Sequence, residues 1–236
     1  MLRTIFMLVL VLLAAPAAPA QTTARLPGGT WSITVPEGWE VGDAQKLKLL
    51  NDAVAGVRIA GVSEPIKYVM VLSPKEPDGC YAIVQWGSAP PAGGTFDGYV
   101  KGLTAGLSAG ARNAREAMPD QIASASFDEP IIDRKRHRVY LPGETRAPSG
   151  DSLKLVTCPM VGCYEVITVH VYAPAPDFAG RRSTLMTIPD SFAFDAGYEY
   201  EFAASAGLNF GRIGTAGLVG AGIGGLAWLL RKIARR

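Results

Sequence analysis

Three cysteines, two histidines and one dense basic run are the residues of this 236-residue chain whose types and spacing could do chemistry. Cys158 and Cys163 flank Pro159-Met160-Val161-Gly162, which reads as the turn of a hairpin. Opposed residues on paired strands hold their Cβ atoms near disulfide range, so the pattern predicts a structural disulfide between Cys158 and Cys163. Redox chemistry fits the pair less well. The spacing is not Cys-x-x-Cys, and no helix N-terminus follows to stabilise a thiolate. Cys80 opens an apolar run and reads as a buried free thiol.

His137 and His170 are too few, and too far from other nitrogen or sulfur ligands in register, to predict a zinc site. No other metal or cofactor is predicted. His170 alternates within Val166-Ile167-Thr168-Val169-His170-Val171 and reads as a strand-face histidine. A Ser-His-Asp triad is compatible with the spacing, but no Gly-x-Ser-x-Gly elbow is expected to support one, and no catalytic residue is assigned. Arg134-Lys135-Arg136-His137-Arg138 is the densest basic run. As a strand it would place Arg134, Arg136 and Arg138 on one face and Lys135 and His137 on the other. That face suits anionic lipid headgroups or an acidic partner. It suits equally well an edge strand charged against aggregation, and Asp128, Glu129 and Asp133 partly neutralise it.

The elements that must position these residues follow from periodicity. Residues 30–36 alternate apolar and polar as a half-buried strand, stopped by the Pro36-Glu37-Gly38 turn, after which Trp39 can pack back. Leu47, Leu50 and Val54 predict a helix over 44–55. Phe96, Val100, Leu103 and Leu107 predict another over 96–111, with Thr95 as N-cap. Gly102, Gly106 and Gly110 form a stripe suited to close packing on a sheet. Strands are predicted over 68–72, 81–86 and 131–141, and a hairpin from 153–158 and 163–172. A last helix over 176–187 and a closing strand over 191–194 follow, with loops at 90–94 and 142–150. Strands with few helices and tight turns predict an α+β fold, an antiparallel sheet with flanking helices.

Both ends carry targeting signals. Arg3, the apolar run 5–15 and Ala18-Pro19-Ala20 predict a signal peptide over 1–20. Residues 213–230 are apolar, rise about 27 Å as a helix, and end beside Trp228 and the cations Arg231, Lys232, Arg235 and Arg236. Positive flanks stay cytoplasmic. The expected layout is a bacterial inner-membrane protein: periplasmic domain 21–200, juxtamembrane linker 201–212, transmembrane helix 213–230 and basic cytoplasmic tail 231–236. Gly217, Ala221 and Gly225 form one small-residue row, and Ala216, Gly220 and Gly224 a second beside it. Such rows favour helix association, with a second copy or with an envelope protein. The chain has 23 Lys+Arg against 21 Asp+Glu; setting aside Arg3 and the four tail cations leaves 18 against 21. That mildly acidic balance excludes a nucleic-acid-binding domain.

The stretch Thr30-Trp31-Ser32-Ile33-Thr34-Val35-Pro36-Glu37-Gly38-Trp39 resembles the opening strand and Pro-x-Gly-Trp turn of the PsbP/Mog1-like family. Ile188-Pro189-Asp190-Ser191-Phe192 is similar to that family's closing Ser-Phe strand, and the order of elements between them is similar. The resemblance covers most of 28–195 and implies an antiparallel sheet with flanking helices. It also implies an accessory or binding role rather than catalysis. It carries over no functional residue. The expected function is a non-enzymatic, membrane-anchored periplasmic accessory domain associated with an envelope complex. The alternatives are an envelope hydrolase or thiol-redox enzyme, a small-ligand-binding exported domain, and a C-terminal segment that acts as a removable sorting signal.

Overall fold

A computed structural model describes residues 22–55, 66–88 and 94–203. The expected signal peptide, the 213–230 segment with its small-residue rows, and the basic tail lie outside the described residues. Among the described residues no helix is long and apolar enough to cross a membrane.

The chain order is β1 (Thr22–Ala24), β2 (Trp31–Val35), β3 (Trp39–Val41), α1 (Ala44–Val54), β4 (Lys67–Pro74), β5 (Tyr81–Ser88), α2 (Phe96–Ala117), β6 (Ser124–Phe127), β7 (Ile131–Asp133), β8 (Arg138–Arg146), β9 (Ser152–Val161), β10 (Glu165–Pro174), α3 (Phe178–Ser191) and β11 (Ala193–Phe194). An eight-stranded sheet runs β3-β4-β5-β10-β9-β8-β6, with β7 paired to β8; a second sheet runs β1-β2-β11. The pairings are antiparallel. This is the α+β class that the periodicity predicts.

Alternation along the strands divides the core. Ile167, Val169 and Val171 of β10, with Val156, Cys158 and Met160 of β9, face α3 and the small sheet, where Trp31, Ile33, Leu185 and Ile188 meet them. The opposite face packs Tyr172, Leu155 and Ile83 beneath Leu50 and Val54 of α1. Farther along it, Val139 and Leu141 of β8 pack beneath Phe96, Tyr99, Leu103 and Leu107 of α2. β10 is covered on both sides, which explains its nearly continuous apolar run. Each of these fully buried aliphatic side chains contributes roughly 1.5–3 kcal/mol. The side chain of Asp43 accepts the Lys46 N–H at 2.7 Å, and that of Thr95 accepts the Gly98 N–H at 3.0 Å, so both predicted helix starts are capped.

Several stretches differ from expectation. Residues 131–141 are a hairpin rather than one strand: 134–137 form the turn, Asp133 Oδ1 accepts the Arg136 N–H at 3.0 Å, and His137 takes a φ of 50°. Arg134, Arg136 and Arg138 therefore do not share a strand face. The stretch 142–150 is not all loop, because β8 continues to Arg146. Gly143 lets β6 approach there: a Cβ on it would meet the Ser126 carbonyl oxygen at 2.5 Å. α2 also runs six residues beyond the predicted end at 111, to Ala117.

Candidate functional site

The cysteines are not paired. In the β9–β10 register Val161 faces Val166 and Cys158 faces Val169, so the hairpin continues past the expected turn. Cys158 is fully buried, whereas Cys163 is exposed and donates its S–H to the Glu199 carbonyl at 2.8 Å. The strand from Cys158 to Val161 alone covers about 10 Å, beyond the Cα separation a disulfide spans. The predicted Cys158–Cys163 disulfide is therefore corrected: all three cysteines are free thiols. Burial pushes the thiols of Cys158 and Cys80 up to about 12. Neither is a thiolate at neutral pH.

His170 is on the strand face as predicted, but that face is interior. It is fully buried, its Nε2–H donates to Gln85 Oε1 at 3.2 Å, and Thr157 Oγ1–H donates to Nδ1 at 3.0 Å. Burial lowers its pKa to about 3, so the ring is neutral and held by both nitrogens. It has no path to a substrate in solvent. Among the described residues no group of three potential ligands could hold a metal ion.

One string that the sequence reading passed over is Gly106-Leu107-Ser108-Ala109-Gly110, which has the Gly-x-Ser-x-Gly pattern. It lies in the middle of α2 rather than on a strand-to-helix turn, so it is not a nucleophile elbow. Its serine does line an open groove of about 460 Å³ between α2 and β6. Leu107, Ser108, Ala111, Arg112 and Arg115 form one wall, and 124–127 form the other. Among the described residues neither Arg112 nor Arg115 has a carboxylate within 4.0 Å. β6 is the last strand of the eight-stranded sheet, so among the described residues one edge of it is unpaired. Two guanidiniums three residues apart on a helix, beside serine hydroxyls and a strand edge, can receive carboxylates or another extended chain. The signal was legible as Ser108, Arg112 and Arg115 at helical spacing, but the predicted helix stopped at 111.

The basic run gathers at one end of the large sheet, with its members in separate roles. Arg138 donates to the carbonyls of Pro189 and Asp190, each at 2.8 Å, and of Phe192 at 2.6 Å, fastening the C-terminus of α3. Arg134 pairs with Asp97 at 2.6 Å, and Arg136 lies 4.0 Å from Asp133. The His137 ring sits 5.0 Å from Phe96 and 5.2 Å from Phe202. A second open groove, of about 430 Å³, is lined here by Lys135, Arg136, His137, Phe194, Tyr200 and Phe202 among others. Phe202 thus packs on the domain although it lies in the stretch read as linker.

Comparison with known proteins finds likenesses among solved structures. No family model matches the sequence, and no curated protein matches it. Among solved structures, the chain is similar to the solution structure of cyanobacterial PsbP (CyanoP) from Synechocystis sp. PCC 6803. The identity is 14%, the match covers 76% of this chain and 96% of that one, and the TM-score is 0.44. The neighbour is a PsbP protein, of the family that the opening and closing strands resemble in sequence.

Proposed function

We propose that this chain is an exported, membrane-anchored accessory domain that recognises a protein partner in the cell envelope and catalyses no reaction of its own. The observation that carries this reading is the α2–β6 groove. It places two arginines, neither with a carboxylate within 4.0 Å among the described residues, beside a strand edge that no other described strand pairs. An extended acidic segment of a partner would add backbone hydrogen bonds to β6 and carboxylates to Arg112 and Arg115. The thiol-enzyme alternative draws no support from the cysteines, two of which are buried with raised pKa values. The anchor reading rests on the 213–230 segment and the cations after it.

Affinity purification of the full chain from gently solubilised membranes tests the proposal. One dominant co-purifying membrane complex is expected, lost in the double variant Arg112→Glu and Arg115→Glu while the variant itself remains folded. Recovery of bare chain after crosslinking, or a complex indifferent to both substitutions, counts against the groove as the recognition site.

A further inference from the structure

The sheet end that gathers the basic run also collects most of the domain's exposed large hydrophobic side chains. Among the described residues these are Val41, Leu49, Ile131, Ile132, Tyr164 and Tyr198. Ile131 and Ile132 are 48% and 39% exposed on β7, directly before the Arg134–His137 turn. Tyr164, 71% exposed, lies in the β9–β10 turn and meets Tyr198 edge-on at 5.8 Å. The two turns share an end because β8 and β9 are antiparallel, with Leu141 opposite Thr157. Lys67, whose Nζ lies 5.2 Å from the Trp86 ring centroid, sits at this end of β4 and β5.

The described residues also end here, at 203. Residues 198–203 cross this end: Cys163 N–H donates to the Tyr198 carbonyl at 2.9 Å, and Ala203 N–H to the Gly94 carbonyl at 3.0 Å. The apolar segment begins at Ile213. The stretch from 203 to 213 spans at most about 36 Å.

From this placement we infer that the β7–β8 and β9–β10 turns form a membrane-docking face. The domain rests this end in the phospholipid headgroup layer of the bilayer that holds its C-terminal segment. The inference depends on the anchor reading above and extends it to an orientation. Isolated exposed apolar residues need no explanation, but here aliphatic, tyrosine, tryptophan and lysine side chains share the end at which the described residues stop. That mixture is typical of membrane interfaces: rings and aliphatic groups enter the headgroup region while cations remain at the phosphates. Charge is the minor part. Arg134 and Arg136 already face Asp97 and Asp133, and Glu165, Glu199 and Glu201 lie at the same end. Contact should therefore depend on Ile131 and Ile132 more than on the fraction of anionic lipid. The orientation leaves the α2–β6 groove clear of the bilayer, since Leu107 to Arg115 lie about 16–28 Å along α2 from Phe96.

The native cysteines provide the probe. Cys163 is exposed at the proposed face while Cys80 and Cys158 are buried, so a polarity-sensitive thiol dye will mark Cys163 selectively. The full chain is labelled and reconstituted into phosphatidylcholine vesicles with a minority of phosphatidylglycerol, and quenching by headgroup-spin-labelled lipid is measured. The comparison is Ser149→Cys combined with Cys163→Ser, which moves the dye to the opposite end of the sheet, about 27 Å away. The inference predicts quenching at Cys163, none at position 149, and loss of the Cys163 signal with Ile131→Asp plus Ile132→Asp. Absence of quenching at Cys163 in chain that survives alkaline carbonate washing, or equal quenching at both ends, would overturn the docking face and leave the anchor standing. Release of the whole chain by carbonate would overturn both.

Discussion

Acidification should destabilise this domain through His170. The ring is fully buried between Thr157 and Gln85, and its pKa is lowered to about 3 from an ordinary 6.5. The unfolded chain therefore takes up a proton near pH 6.5 that the folded chain refuses until about pH 3. Stability from the neutral ring is complete above pH 6.5 and is lost as pH falls across that window. At one proton the slope is about 1.36 kcal/mol per pH unit, so moving from neutral pH to pH 5 costs about 2 kcal/mol. For a domain of this size that lowers Tm by about 4–8 °C. His170→Gln retains an acceptor for Thr157 and a donor for Gln85 but does not titrate. Urea unfolding of wild type and variant at pH 7, 6 and 5 isolates the term, because the other titrating groups are common to both. The difference in stability between the two should shrink or reverse toward pH 5. Parallel pH profiles would refute the burial argument, since a ring able to protonate in place would carry no linkage.

Arg138→Ala leaves three carbonyls at the end of α3 without their charged donor and should cost about 2–4 kcal/mol in chemical denaturation. Arg134→Ala, which removes only an exposed pair with Asp97, should cost under about 1 kcal/mol in the same assay. Native alkylation at neutral pH followed by intact-mass measurement should modify Cys163 alone, with Cys80 and Cys158 reacting only after denaturation. A native disulfide in that spectrum would contradict the β9–β10 register. Gly143→Val should destabilise the β6–β8 pairing by more than about 2 kcal/mol, because its side chain would collide with the Ser126 carbonyl and the Phe127 ring.

Local pattern was a good guide wherever burial is one-sided. Leu50 and Val54 of α1, and Phe96, Leu103 and Leu107 of α2, pack as their spacing indicates, and Asp43 and Thr95 cap as their types favour. Where tertiary contacts decide, local pattern misled. The Cys158–Cys163 pairing depends on hairpin register, and apolar residues on both sides of the true turn allowed the turn to be placed too early. The basic run looked like a strand because arginine and lysine carry little turn signal. The turn is made instead by Asp133 bonding the Arg136 N–H and by the left-handed His137. Arg112 and Arg115 escaped notice because Ala111 appeared to end the apolar stripe of α2, although Ala114 continues it.

Photocrosslinking in cells tests recognition through the α2–β6 groove most directly. A photoreactive side chain at Ser126, on the groove wall, and one at Ser149, at the distal β8–β9 turn, are compared in the full chain. The account predicts a single discrete heterologous adduct from position 126, absent from 149 and abolished by Arg112→Glu with Arg115→Glu. An adduct pattern that is the same from both positions, or no adduct from 126 while the chain is folded and in the membrane fraction, would contradict it.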